Sequence, residues 1–434
     1  MSILNLSENY VIVTNMLLYI ALAIYCIIKY GFKNLATLAS LFYGIGGISS
    51  YLLYNFPLYA ETFSGKATCH MEACLYMFTI NALFILCLAN SSLKKITHLT
   101  HYNDNIIYNL QKWISIILTI ILAVEFPTSI YRFYTSGDLG YLRDISRDFS
   151  TSNIFLISIL QRFLGATNIL LLCLIVIRLL VNRKMTNWDK YALFIYALWK
   201  INIIFSVVSR AMMIWTIIEL LVVFVLFYKQ ISRAVRKKII ATSLVVLVFF
   251  YGLTVTISLA RFGNIGNTQH FVFLQYSGQA NLNAMALAYN DLKTPFWGYI
   301  QFPLFRRLLG FDYDNGHNQD FVYNSYVSDK LGYPNPVYIF HALAGDLYLN
   351  FGWLLPLIIA ITVYLLLRIR RHNEFFISSS RIILSIVLAS VVCKGVFFLD
   401  YRNEAGNFLL IYLVLLCYIL NKSGKTVMIK TYEK

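Results

Sequence analysis

Residues Val337–Trp353 read VYIFHALAGDLYLNFGW, a membrane-helix run that carries a histidine at 341, an aspartate at 346 and an asparagine at 350. An ionisable side chain inside a span costs about 3 kcal/mol on insertion scales, so Asp346 marks a position with a purpose. Outward from it, the run closes the largest polar interruption of the chain, Arg261 to Phe340, and everything else alternates apolar runs with short connections. The 434 residues are 59% hydrophobic and 13% charged, about half the charged share of a soluble domain. In lipid every backbone N–H and C=O must be satisfied within the chain, which leaves helices or a closed barrel, and the short alternating strands of a barrel are not seen. The expected fold is an all-α polytopic integral membrane protein, residues 1–434 forming one transmembrane domain with 261–340 as its large extracytoplasmic loop.

Eleven spans are expected, over 10–28, 35–57, 73–93, 112–133, 153–178, 191–208, 211–228, 239–260, 338–367, 379–398 and 407–421. Lys and Arg accumulate in loops that stay in the cytoplasm. With the N-terminus outside, the segments 29–33, 94–112, 178–190, 229–238, 368–381 and the tail from Lys422 fall inside, and they hold 22 of the 36 basic residues against 4 acids. The expected orientation is therefore N-out and C-in. The net charge of +16 is read as a topology signal, which removes the need for a nucleic-acid partner. The first run, Val11 to Ile28, lacks a basic leader and a small-residue cleavage site and is read as a retained span. Of the seven Cys, only Cys69 and Cys74 share a loop; they match no zinc pattern, and an extracytoplasmic loop permits a disulfide between them.

Besides Asp346, the candidate ionisable residues inside the expected spans are Glu125, Arg162, Lys200, Glu219 and Lys394. Pairing between helices, for instance Glu125 with Arg162, would make them structural glue. Arg210 differs, because the turn it shares with Ser209 leaves almost no loop to solvate it at the outer ends of two helices. It reads either as an interfacial anchor or as an arginine facing a polar outer cavity.

The large loop begins RFGNIGNTQHFVFLQYSGQANLNAMALAY, Arg261 to Tyr289. Its part from Gln279 to Tyr289 has helical spacing and is expected to lie on the bilayer as an amphipathic helix. The amides, Gln279 among them, match sugar hydroxyl pairs, and the aromatics can stack on sugar faces. Arg306 and Arg307, flanked by apolar residues, suit a membrane-surface anchor or a grip on a lipid phosphate. DYDNGHNQD, Asp312 to Asp320, has alternating oxygen ligands but lacks the terminal bidentate Glu of a calcium loop, so no metal is assigned. On one straight helix Asp346 and Asn350 share a face, whereas His341 is rotated about 140° from Asp346. An arginine, Arg210, Arg261 or Arg402, is the expected partner of Asp346.

Outer arginines at Arg210, Arg261 and Arg402, with Arg306 or Arg307, fit a dianionic ligand, because guanidinium forks bind phosphate bidentately and stay charged on burial. Arginines can also stabilise a pyrophosphate leaving group without a metal or cofactor. His341 is then the base for a sugar hydroxyl. Two motifs, SRAMMIW at Ser209–Trp215 and FHALAGDLYLNFGW at Phe340–Trp353, together with eleven spans and one late outer loop, resemble the Wzy-type oligosaccharide repeat-unit polymerases of O-antigen and capsule assembly. The resemblance spans the whole chain in layout. It implies a GT-C-like membrane glycosyltransferase of the bacterial plasma membrane acting on undecaprenyl-pyrophosphate-linked oligosaccharide at the outer leaflet, with a chain-length regulator as a further partner. It implies that Arg210 and Arg261 hold pyrophosphate with Arg402 in support, and that His341 or Asp346 orients or deprotonates the acceptor. Asn350 departs from the family, where an acidic residue is common. An O-antigen ligase, transferring glycan to lipid A core, shares these features, and a lipid-linked oligosaccharide flippase is the alternative outside the enzymes.

Overall fold

The computed structural model describes residues 7–57, 68–91, 96–135, 163–182, 184–207, 210–241, 268–286, 341–369, 375–397 and 404–429, with isolated positions such as Leu399 between them. The described chain is mostly helical. In order it forms α1 (Glu8–Tyr30), α2 (Leu35–Tyr54), α3 (Met71–Cys87), β1 (His98–Tyr102), α4 (Asp104–Thr135), α5 (Asn168–Asn182), α6 (Asn187–Val207) and α7 (Arg210–Phe227). It continues with α8 (Thr268–Ala286), α9 (Ala342–Phe351), α10 (Leu354–Ile369), β2 (Phe376–Ser378), α11 (Ser379–Lys394), α12 (Glu404–Ser423) and β3 (Lys425–Met428). Among the described residues, five helices are long and apolar enough to cross a membrane: α1, α2, α3 with its following turn to Asn90, α4, and the stretch Gly165–Asn182. Shorter apolar helices cover Met212–Phe227, Leu354–Leu367 and Gly406–Lys422.

The chain packs as two compact units, residues 1–92, 266–372 and 389–403 in one and 93–265, 373–388 and 404–434 in the other. In the first, Gly31 ends α1 with φ +77, a conformation that favours glycine, and Asn34 caps α2 by accepting the Ala36 N–H at 2.8 Å. Small residues then bring α2 close to two neighbours. A Cβ on Gly47 would stand 3.3 Å from the Met16 backbone of α1, and one on Gly278 would stand 2.5 Å from the Ser49 carbonyl oxygen. The Ser50 hydroxyl seals the second contact by donating to the Gly278 carbonyl at 3.0 Å. Leu282 and Met285 of α8 pack with Leu53 and Tyr54 at the end of α2, so α8 and α2 run in the same direction.

That placement corrects the expected interfacial helix. Residues 278–285 of α8 are buried in the bundle, held by glycine and serine contacts that a helix lying on the bilayer would not make. The expected span 338–367 is also broken. Gly352, at φ +72, and Trp353 separate α9 from α10, and Tyr76 of α3 donates to the Trp353 carbonyl at 2.6 Å. Cys69 and Cys74 are both buried, with no disulfide bridge between them.

In the second unit, α4, α5 and α6 share a core of Leu118, Ile121, Leu171, Ile175, Ile195 and Trp199. Their ends are tied by Arg178, which is 4% exposed and belongs to α5, not to the expected loop 178–190. Its Nη1 meets Asp189 Oδ1 at 2.7 Å and its Nε meets Asp104 Oδ1 at 3.3 Å. Asp189 also forms a capping box with Thr186, accepting the Thr186 N–H at 2.8 Å while its own N–H donates to Thr186 Oγ1 at 3.2 Å.

A three-stranded sheet of order β2-β1-β3 adds to the helices, β1 parallel to β2 and antiparallel to β3. Leu99, Ile377 and Val427 pair across one face, and Phe376, His98 and Met428 across the other. Hydrogen-bonded strands share one side of a membrane. The three come from 94–112, 368–381 and the tail, segments expected from the sequence to lie on one and the same side.

Candidate functional site

His341 and Asp346 come together because His341 lies outside the helix. Ala342 has φ +55, a left-handed conformation unusual for a residue with a Cβ, and α9 begins only there. The turn brings His341 Nδ1 to 3.6 Å from Asp346 Oδ1, with both side chains fully buried. The separation is in ion-pair range and longer than a hydrogen bond. The expected 140° offset assumed a continuous helix, and the turn at Ala342 removes that assumption.

Asp346 is anchored on its other side, where Oδ2 accepts the Leu399 N–H at 2.7 Å. The first turn of a helix has N–H groups without intrahelical partners, and here the turn after α11 takes them. Ala342 donates to the Phe397 carbonyl at 2.9 Å and Leu343 to the Gly395 carbonyl at 2.6 Å. Gly395 permits that approach, since a Cβ there would stand 2.8 Å from Leu343 Cβ and 2.9 Å from the Tyr43 hydroxyl. On another side of α9, a Cβ on Gly345 would meet His341 Cβ at 3.0 Å and Ala284 Cβ of α8 at 3.4 Å. At its far end Tyr348 packs edge-on against Tyr76 of α3, ring centres 5.8 Å apart. Residues 342–350 are all buried as a result.

Asn350 donates to the Asp346 carbonyl at 2.8 Å, and its Oδ1 has no hydrogen-bonding partner. Gln279 is 1% exposed on α8, and its Oε1 likewise lacks one. Arg210 opens α7, in the second unit, but its side chain lies outside the described residues. Arg261, Arg306, Arg307, Arg402 and the segment Asp312–Asp320 lie outside them entirely. Of the expected site residues, the structure therefore unites His341 with Asp346 and adds Leu399 and Gly395, which sequence reasoning did not single out. The only trace of the latter two was a glycine in an otherwise apolar stretch.

Polar residues inside the second unit pair with each other. Lys200 Nζ meets Glu219 Oε2 at 2.6 Å, and the Tyr196 hydroxyl donates to the same oxygen at 3.0 Å. Glu125 accepts from Asn202 at 3.3 Å, while Arg162 lies outside the described residues. These contacts join neighbouring helices, as expected of structural glue. Among the described residues no group of three metal-ligating side chains occurs.

Chemically, His341 and Asp346 have the elements of a positioned base. A carboxyl group with one oxygen held by a backbone N–H faces an imidazole, the side chain most often used to accept a proton from a hydroxyl. Both side chains are closed to solvent, so any ligand would have to uncover them first. No family model matches the chain, and comparisons with curated proteins and with solved structures give no match either.

Proposed function

We propose that this protein is a membrane glycosyltransferase that polymerises undecaprenyl-pyrophosphate-linked oligosaccharide repeat units at the outer leaflet of the bacterial plasma membrane. The observation that carries the reading is the buried His341–Asp346 pair, tied to Leu399, at the start of a helix within an apolar helical bundle. The motif resemblance at Ser209–Trp215 and Phe340–Trp353 supports it.

In the proposed reaction His341 takes the proton of an acceptor sugar hydroxyl. The freed oxygen attacks the anomeric carbon of the donor glycan, and the bond from that carbon to undecaprenyl pyrophosphate breaks. The pyrophosphate leaves with the bonding electron pair. Arg210, Arg261 and Arg402 are the proposed holders of its charge, a role that arginine can fill without a metal. Asp346 orients His341 and stabilises the imidazolium; with Oδ2 committed to Leu399, it is assigned positioning and not proton abstraction.

Glycolipid analysis of a deletion strain tests the reading against its alternatives. A lipid A core bearing a single repeat unit, or the loss of long capsular glycan with outer-leaflet repeat units intact, is the expected result. Long lipid-linked chains that are never attached to the core would indicate a ligase. Repeat units trapped on the cytoplasmic side would indicate a flippase.

A further inference from the structure

Helix α8 contains no Lys, Arg, Asp or Glu, yet four of its five carboxamides fall between residues 275 and 283: Gln275, Gln279, Asn281 and Asn283. Asn281 faces α2, its Nδ2 lying 3.1 Å from where a Gly46 Cβ would stand. Gln275, Gln279 and Asn283 are four residues apart and form a separate row about 12 Å long on the helix. The row cannot turn toward a more polar setting, because the backbone contact of Gly278 with Ser49 and the Ser50 hydrogen bond fix the rotation of α8. Gln279 and Asn283 are 1% and 0% exposed, and Gln279 Oε1 is buried without a hydrogen-bonding partner. Leaving such a group unmatched inside a protein is costly, and more so where water is scarce.

The chemistry of the row narrows what would satisfy it. A carboxamide offers two donors and an acceptor, the set that neighbouring sugar hydroxyls match. A phosphate would want a cation, and α8 has none. An acyl chain would leave Gln279 Oε1 as unmatched as before. The row also lies near the proposed base, since Ala284, next to Asn283, and His341 both have their Cβ within 3.4 Å of the point where a Gly345 Cβ would stand.

We infer that Gln275, Gln279 and Asn283 form a binding face for the neutral sugar hydroxyls of the lipid-linked substrate, separate from the arginines that take its pyrophosphate; the inference rests on the polymerase reading. The test uses the full-length protein in nanodiscs. Two probes are titrated, the lipid-linked repeat unit extracted from the deletion strain and sugar-free undecaprenyl pyrophosphate. Gln279→Leu should bind the repeat unit about fivefold more weakly, the loss of one neutral hydrogen bond, and undecaprenyl pyrophosphate as the wild type does. If Gln279→Leu does not reach the membrane, Gln275→Leu, at a half-buried position, serves with the same expectation. Unchanged binding of the repeat unit, or equal weakening of both probes, overturns the sugar-binding face and leaves the polymerase reading standing. A wild-type protein that binds neither probe overturns both.

Discussion

Burying an ionised side chain is tolerable only where its partners are fixed, and single residues in this protein show how that is done. Arg178 meets two carboxylates, stacks over the Tyr108 ring at 4.7 Å and is 4% exposed. Removing one partner of a buried ion pair strands the other, at about 3–5 kcal/mol. Arg178→Ala should therefore lower stability by about that amount in a thermal or denaturant assay in detergent, with Arg178→Lys recovering only part because it cannot fork between Asp104 and Asp189. A neutral result would mean that the cluster contributes nothing to the fold. The thiols give a second check. None of the seven Cys is in a disulfide, so denatured, unreduced protein should take up seven alkyl groups by intact mass. Five would restore the Cys69–Cys74 bridge that the sequence permitted.

Individual helices divide into those that hydropathy reveals and those it hides. The first two spans, expected at 10–28 and 35–57, are α1 at Glu8–Tyr30 and α2 at Leu35–Tyr54, because continuous apolar side chains admit one reading in lipid. Helix α8 was hidden by its carboxamides. A segment of 19 residues with five of them reads as a loop or a surface helix, and the fit of Gly278 to Ser49 shows that it belongs inside. The break at Gly352 and the turn at Ala342 were hidden for another reason. Both depend on backbone angles set by contacts far along the chain, from Tyr76 and from the 395–399 turn. His341 and Asp346 are thus legible as polar residue types within one apolar run, while their pairing is not. Gly395→Val tests the element that makes it. The added atoms would collide with Leu343 and Tyr43, push α9 off the turn and separate Asp346 from the Leu399 N–H. The expected outcome is loss of long glycan, measured on gels of surface polysaccharide, with protein still present in the membrane. Normal chain length would show that the docking of α9 is unimportant.

For the whole molecule, the sheet restricts how the chain can cross the membrane. An even number of crossings must separate β1 from β2, and β2 from β3. The charge-based reading satisfies this with spans four to nine and then ten and eleven, although neither counts α8. Epitope tags inserted after Ser92, at residue 372 and after Lys434 should all be accessible from the same side, the cytoplasmic one, in permeabilisation assays. One tag on the opposite side would contradict the sheet. All three outside would keep the sheet and reverse the orientation.

In the proposed mechanism a buried His341, positioned by Asp346, takes the acceptor proton in glycan polymerisation. Its most direct test is elongation by purified protein in liposomes supplied with lipid-linked repeat units, the product ladder being followed for wild type and His341→Ala. The wild type should build a ladder, and His341→Ala, folded and still binding the repeat unit, should extend it at least about a hundredfold more slowly. A His341→Ala ladder that grows at the wild-type rate, or a wild type that builds none, would contradict the mechanism.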